Sequence, residues 1–175
     1  MIRRFAAVLA TIVIAACASM EPDQCRSAKW LDVGYADGVR GRSVSLIEDY
    51  RQDCGKAGIA PDERAWLAGH ARGVLVFCTP ENGLRTGAEG SSYHGVCPAT
   101  MEAAFLNKYR VGREIYDARS RLSSIDSSIR AIESDLRKKD VPEKTRRELH
   151  ERERSLQRER AQAQGFLLGL EAIAR

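Results

Sequence analysis

The chain has 175 residues, of which 28 are basic and 24 acidic. Without residues 1–16, the remaining 159 residues carry 26 basic and 24 acidic side chains, so they are almost neutral. This balance gives no support to nucleic-acid binding, which depends on clustered positive charge. The length is sufficient for one domain with a core, or for a small domain joined to an extended element.

The first seventeen residues predict a lipoprotein signal sequence. Arg3 and Arg4 form a positive start, residues 5–16 form an apolar stretch, and small residues precede Cys17. A transmembrane helix needs about 20 apolar residues, so this stretch is too short to be one. The segment from Ile14 to Cys17 resembles the lipobox of bacterial lipoproteins. We therefore expect residues 1–16 to be removed and Cys17 to be the lipidation site.

This resemblance also implies a location. The residue after Cys17 is Ala18 rather than Asp, which in Gram-negative lipoproteins implies sorting to the outer membrane. We therefore expect an outer-membrane lipoprotein that faces the periplasm and holds the membrane through its lipid anchor. A cleaved secretory signal that leaves a soluble protein is the open alternative.

Four further cysteines predict disulfides, because an exported chain enters an oxidising compartment. They are Cys25, Cys54, Cys78 and Cys97. Three pairings are possible. Helices predicted over 28–40 and 43–55 would bring Cys25 towards Cys54. A helix from near Pro61 to Cys78, followed by a Gly-rich loop, would bring Cys78 towards Cys97, although a crossed pairing stays open.

The cysteine spacing contains no C-x-x-C motif, so we expect neither a metal site nor a cofactor. Aromatic residues are followed by glycines at helical spacing, as in Trp30 before Gly34 and Gly38. Glycine inside a helix costs about 1 kcal/mol relative to alanine. Close helix packing, with a ring over bare backbone, explains this pattern best. Access of a ligand to the backbone is the alternative.

The cysteines, aromatic residues and glycines together resemble one known family. The matching positions are Cys25, Trp30, Gly34, Asp37-Gly38, Gly41, Cys54, Gly58, Pro61-Asp62, Gly69, Arg72-Gly73, Phe77 to Gly83, Gly87, Gly90, Tyr93, Gly95 to Pro98, Phe105, Tyr109 and Gly112. Residues 25–116 are thereby similar to the bacterial lipoprotein family called domain of unknown function 2799. The resemblance implies a periplasm-facing lipoprotein and no catalytic residue.

The last third of the chain predicts a coiled-coil helical hairpin. An apolar residue recurs at alternating spacings of four and three, at Val111, Ile115, Ala118, Leu122, Ile125, Ile129, Ile132 and Leu136. Asp140 and Pro142 predict a turn near 140, with Asp140 as the cap of the second helix. Antiparallel folding then sets Val111 near Ala174. An extended coiled coil between chains is the alternative.

The predicted fold class is therefore all-α, with a small disulfide-linked helical domain followed by a long antiparallel hairpin. The predicted boundaries are 1–16 for the signal peptide, 17–110 for the Gly- and Cys-rich domain, and 111–175 for the hairpin.

Few side chains in this sequence suggest chemistry. His70 and His94 could act as a base or a ligand, but a solvent-facing helix position and a loop position are the simpler interpretations. Asp37, Arg72 and Glu81 could form a buried ion pair that fixes the packing of the helices. A binding site is most plausible in the loop Thr79 to Tyr93, which contains Asn82 and leads to His94.

The sequence favours a non-enzymatic envelope lipoprotein that acts as a structural or interaction module. The alternative is a cell-wall or small-ligand binding or processing module that uses the loop Thr79 to Tyr93. Lys138, Lys139 and Arg146 lie among the basic residues at the hairpin turn. They predict contact with an anionic partner, either an envelope protein or peptidoglycan, whereas a solvated helix end is the simpler interpretation.

Overall fold

The computed structural model describes residues 20–175, and this part of the chain is all-α, as predicted. Seven helices lie within these residues: α1 (Pro22–Ser27), α2 (Trp30–Val39), α3 (Leu46–Gly55), α4 (Glu63–Phe77), α5 (Pro80–Ala88), α6 (Ala99–Leu136) and α7 (Glu143–Ala174). The predicted signal peptide and the lipidation site Cys17 lie outside the described residues.

Helices α2 and α4 cross with their backbones in contact. A Cβ atom at Gly34 would overlap the carbonyl oxygen of Trp66, and one at Gly69 would overlap that of Leu31. Because only hydrogen fits at these positions, the glycines allow close helix packing, as predicted. The expectation of a ring over bare backbone is wrong for these helix glycines, because their neighbours are backbone atoms of the facing helix. A ring takes this place at Gly41, in the turn after α2, where φ is +67° and the ring of Phe77 fills the space of a side chain.

Helices α5 and α6 repeat this crossing position by position. A Cβ atom at Gly83 would overlap the carbonyl oxygen of Phe105, as Gly34 meets that of Trp66. The full correspondence pairs Gly34, Gly38 and Gly41 with Gly83, Gly87 and Gly90, and Trp66, His70, Gly73 and Phe77 with Phe105, Tyr109, Gly112 and Tyr116. We call α2 with α4 the first unit and α5 with α6 the second unit. The domain thus contains two versions of one helix crossing.

Each unit is accompanied by one disulfide, and both predicted pairs are confirmed. Cys25 in α1 is bonded to Cys54 in α3, with their Cα atoms 5.7 Å apart. Cys78, which caps the end of α4, is bonded to Cys97, with a Cα distance of 5.6 Å. The first bond lies in a core with Trp66, and the second lies in a core with Phe105.

The predicted loop Thr79 to Tyr93 is wrong for most of its length, because Pro80–Ala88 forms α5. The Thr79 hydroxyl accepts a hydrogen bond from the backbone N–H of Asn82, and Pro80 suits the first turn of a helix. Gly83 and Gly87 lower helix propensity, but they also permit the contact with α6. Tertiary packing therefore forms a helix that the local sequence disfavours.

Helices α6 and α7 form an antiparallel hairpin, as predicted. Val111 and Ala174 pack against one cluster that contains Ile115, and Lys108 Nζ donates to the carbonyl oxygen of Ala174 at 3.4 Å. The seam is buried mainly on α6, at Ile115, Ala118, Ile125, Ile129 and Ile132. Since α7 of the same chain covers this seam, the alternative of a coiled coil between chains is wrong.

Two details of the hairpin differ from expectation. The residue that precedes α7 is Pro142 rather than Asp140, because the extended backbone of Pro142 leads directly into the helix and its carbonyl accepts from Arg146 N–H at 2.9 Å. Helix α6 also runs without interruption across residues 110 and 111. The base of the hairpin is therefore a helix of the second unit, and the division at 110 stays a prediction.

Candidate functional site

The carboxylate of Asp37 lies in the core, and the residue is 5 % exposed. Its Oδ2 atom accepts hydrogen bonds from the Tyr50 hydroxyl and from Trp66 Nε1–H, both at 3.0 Å. Burial, followed by the charge of Asp37, raises the pKa of Tyr50 to about 12. Tyr50 therefore stays a neutral donor, and this arrangement joins three helices.

The predicted ion pair of Asp37, Arg72 and Glu81 is wrong. Arg72 and Glu81 are exposed on α4 and α5, while the partners of Asp37 are two neutral donors. A buried arginine would lose its hydration, whereas a hydroxyl and an indole N–H are less costly to bury. Glu81 instead lines a groove at the base of the hairpin, near Arg119 and Glu171.

His70 is also a core residue, contrary to the expected solvent-facing position. It is 4 % exposed, its ring stacks on Trp66 at a centroid distance of 4.8 Å, and its Nε2 atom lies 2.7 Å from the carbonyl oxygen of Arg42. A carbonyl oxygen only accepts, so Nε2–H donates. His70 thus fixes the turn after α2 and has no access to a substrate.

A groove of about 640 Å³ lies between the end of α2 and the segment that follows α5. Its polar lining includes Arg40, Arg42, Arg85, Ser91, Ser92 and His94. Arg40, Arg42 and His94 are exposed, and Glu89 is the acidic residue of the lining. The groove therefore combines three arginines with one carboxylate and can attract a small anion.

Asn82 holds Arg85, one of the residues that line this groove, in position. Its Oδ1 atom accepts from Arg85 Nε and Nη2 at 3.0 and 2.7 Å, and its Nδ2 donates to the carbonyl oxygen of Phe77 at 3.0 Å. Arg85 also pairs with Glu89 at 3.0 Å. The sequence analysis indicated His94 and Asn82 but missed Arg40 and Arg42. The Arg-Gly-Arg sequence at a helix end could have indicated these two residues.

The hairpin turn carries the three predicted basic residues in different settings. Lys138 pairs with Asp135 at 2.7 Å, and Lys139 is exposed. Arg146 is half-buried, and its Nη1 donates to the carbonyl oxygen of Leu136 at 3.3 Å. The guanidinium of Arg146 therefore helps to close the end of α6, while the two lysines face solvent.

Residues 20–175 contain no helix that combines the length and the hydrophobicity needed to cross a bilayer. Within the same residues, no three His, Cys, Asp or Glu side chains come together in a way that could hold a metal ion.

Comparison with known proteins identifies one family. A family model described as "Protein of unknown function (DUF2799)" matches residues 29–114. The matched segment runs from the residue before α2 into the part of α6 that crosses α5, so it covers both units. No curated protein and no solved structure matches the chain.

Proposed function

The chain belongs to this family through its two-unit domain, and because the family carries no assigned function, we propose a role from the architecture. We propose a non-enzymatic lipoprotein of the bacterial envelope, attached to the outer membrane through Cys17. Its domain holds out the α6–α7 hairpin, whose turn contacts an anionic partner. The partner is either peptidoglycan or an acidic face of an envelope protein.

The single observation that carries this proposal is that the α6–α7 hairpin extends beyond the domain. From Arg119 to Leu136, α6 continues for roughly 25 Å at 1.5 Å per residue. Along this stretch α6 forms ion pairs with α7: Arg121 pairs with Glu159, and Asp126 pairs with Arg160, each at 2.6 Å. A two-helix arm with a small core of its own is suited to extend from the domain and to contact a partner.

The polar groups of the core support a role without catalysis. The two strongest candidates, Asp37 and His70, are both buried and engaged in hydrogen bonds that join helices. A general acid or base needs a path to the reacting atoms. These side chains instead stabilise the fold, which leaves recognition to the surface.

Charge supports the choice of an anionic partner at the turn. Residues 135–148 hold six basic and four acidic side chains. Arg146 is occupied within the hairpin and Lys138 pairs with Asp135, but Lys138, Lys139 and Lys144 are all exposed. Exposed charges are screened over about 8–10 Å at physiological salt, so the contact is expected to weaken as ionic strength rises.

The test is co-sedimentation of the purified protein with isolated peptidoglycan sacculi over a range of salt concentrations. Lys138→Glu with Lys139→Glu is expected to lower the bound fraction about tenfold at low salt, equivalent to about 1.4 kcal/mol. The matched control is Arg64→Glu with Arg72→Glu, which makes the same change of charge on the exposed side of α4. Equal binding by the turn variant and the wild type would reject the turn as the contact.

Attachment through Cys17 has a separate test. Cys17→Ser is expected to move the protein from the membrane fraction to the soluble fraction, because the lipid anchor is lost. Continued membrane retention without aggregation would refute the anchor. This outcome is independent of binding at the turn.

The basic groove supports a second candidate function, the binding of a small anionic ligand from the cell wall. Arg40 and Arg42 lie exposed beside Arg85, which Asn82 and Glu89 hold in place. A soluble muramyl peptide supplies carboxylates and serves as the probe in titration calorimetry. Arg40→Gln with Arg42→Gln is expected to abolish the heat of binding, whereas Arg64→Gln with Arg72→Gln leaves it unchanged. No heat with the wild type would reject this candidate.

A further inference from the structure

One face of the second unit is covered by α7. Leu84 of α5 and Ile115 of α6 pack with Leu167, Leu170 and Ala174 of α7. We call these three residues of α7 the α7 stripe, because their spacings of three and four place them on one side of the helix. Helices are often recognised by a stripe of this spacing that lies in an apolar groove. The second unit thus shows which kind of element this side of the crossing accepts.

The same face of the first unit is exposed to solvent. By the correspondence of the two crossings, Tyr35 takes the place of Leu84 and Val76 the place of Ile115. Tyr35 is 43 % exposed and Val76 is 49 % exposed. We call this surface the open face of the first unit. It comprises the counterparts of the second-unit residues that contact α7 or line the grooves beside it, namely Asp32, Tyr35 and Val39 of α2 and Gly69, Arg72, Leu75 and Val76 of α4.

The open face is apolar at its centre and carries one charge of each sign. Leu75 is 51 % exposed, and Leu31, which adjoins the face on α2, is 41 % exposed. Asp32 and Arg72 are the charged residues, and Arg72 stands where the second unit has Val111. A contiguous apolar patch with polar residues around it is typical of a protein contact. The charges add a preference for a partner with complementary charges.

We propose that the open face binds an amphipathic α-helix of a different protein, in the way that the second unit binds α7. The partner helix carries apolar side chains at the spacing of the α7 stripe and a carboxylate opposite Arg72. Arg72 corresponds to Val111, which packs in the same cluster as Ala174. The carboxylate therefore belongs at the end of the stripe that Ala174 occupies in α7. This contact involves neither the hairpin turn nor the lipid anchor, so it goes beyond the proposed function.

The observations favour this occupant over two others. The α7 stripe of a second copy already packs against its own second unit, where Leu170 is 8 % exposed, so it is not free to cover the open face. A lipid surface accepts apolar side chains, but helices that lie on membranes present basic residues along a polar face. The open face instead combines Asp32 with Arg72. Opposite charges at fixed positions set the orientation of a protein partner.

The experiment measures binding of a labelled synthetic peptide of residues 160–175 to the purified full-length protein by fluorescence anisotropy. The peptide carries Gly165→Ala and Gly169→Ala, because alanine favours the helix and a Cβ atom at either position meets nothing within 4 Å. It also carries Ala174→Glu, which supplies the carboxylate for Arg72. We expect saturable binding by the wild-type protein. Absence of binding would overturn the proposal.

Variants of the protein locate the bound peptide. Val76→Asp puts a charge at the centre of the open face and is expected to weaken binding at least tenfold. The matched control is Leu67→Asp, because Leu67 is 41 % exposed and lies about 180° from Val76 around α4. Both side chains are about half exposed, so both variants should keep the wild-type thermal unfolding. Tyr35→Asp repeats the test on α2, and binding that survives both changes in the open face would refute this site.

A charge exchange tests the position of the partner helix. Arg72→Glu is expected to bind the peptide with Ala174→Lys about threefold better than the peptide with Ala174→Glu, the reverse of the wild-type order. The same order in both proteins would contradict the proposed orientation. Analytical ultracentrifugation without peptide tests the remaining occupant. A wild-type dimer that Tyr35→Asp converts to monomers would assign the open face to a second copy and overturn the proposal.

Discussion

The two units share one crossing geometry but differ in what covers them. Tyr35 and Val76 of the first unit are 43 % and 49 % exposed, whereas the corresponding Leu84 and Ile115 of the second unit pack under α7. The glycine contact therefore forms whether or not a further helix covers this face of the unit. The hairpin is an addition to the second unit rather than a requirement of the crossing.

The units also differ in the polar residue at their centre. Asp37 of the first unit accepts two hydrogen bonds from α3 and α4, while the corresponding residue of the second unit is Thr86, also 5 % exposed. The first centre is therefore stabilised by a carboxylate whose hydrogen bonds join three helices. The second relies on aromatic rings, with Phe105 lying 4.9 Å from Tyr93 and 5.1 Å from Phe77 between ring centroids.

The strongest test of whether the two crossings are equivalent is a comparison of Gly73→Ala with Gly112→Ala. In each case the new methyl group would overlap a carbonyl oxygen, of Tyr35 or of Leu84. We expect each variant to lose about 4 kcal/mol of unfolding free energy or fail to fold, because backbone cannot move aside as a side chain can. Denaturant unfolding measures the loss. As a control, Gly55→Ala meets no neighbour and should not change the stability. If the protein tolerates Gly112→Ala, the second crossing is looser than the first.

Asp37→Ala is expected to cost about 3–4 kcal/mol, because it leaves the Tyr50 hydroxyl and the Trp66 indole N–H without an acceptor. Thr86→Ala, at the corresponding position of the second unit, should cost at most about 1.5 kcal/mol. Thermal and denaturant unfolding of both variants gives the comparison. Equal losses would contradict the assignment of a special polar centre to the first unit.

Removal of either disulfide is expected to cost about 3 kcal/mol in the chain-entropy account. The closed segments have sequence separations of 29 and 19 residues, and this difference changes the cost only slightly. Cys25→Ala with Cys54→Ala and Cys78→Ala with Cys97→Ala should therefore have similar unfolding midpoints. A much larger effect of one pair would show that its unit depends on the bond for packing as well.

The high pH limit of stability is expected to reflect Tyr50 more than Tyr93. Burial raises the pKa of both hydroxyls, that of Tyr50 to about 12. The unfolded chain loses the Tyr50 proton near pH 10 and the folded chain keeps it, so roughly 2–3 kcal/mol of stability present below pH 10 is lost between pH 10 and 12. In Tyr50→Phe, the unfolding free energy measured across this range should depend less on pH than in the wild type. Tyr93→Phe should show the same change to a smaller extent. An unchanged slope in Tyr50→Phe would refute the shift.

Local spacing was sufficient to predict much of this fold. The disulfide pairs follow from which helix ends a hairpin brings together, and the hairpin follows from the spacing of Ile115, Ala118 and Ile125. Close packing at Gly34 and Gly69 was also predictable, since repeated glycine within a helix needs a reason.

The remainder depends on contacts between distant segments. Helix α5 was missed because Gly83 and Gly87 disfavour a helix until α6 lies against them. The partners of Asp37 lie on α3 and α4, and no local pattern indicates that Tyr50 and Trp66 turn towards it. Arg40 and Arg42 join Arg85 and His94 only because the end of α2 lies beside the end of α5.

The continuity of α6 makes the hairpin a lever. No glycine or proline interrupts residues 113–136, so this length lacks two frequent causes of a sharp kink. Gly112 sits against the backbone of α5 and acts as the fulcrum, with roughly 36 Å of helix beyond it at 1.5 Å per residue. A load at the far end must either tilt the whole rod or twist the crossing of α5 and α6. A sideways force applied at the turn is thereby delivered as torque to the crossing of α5 and α6.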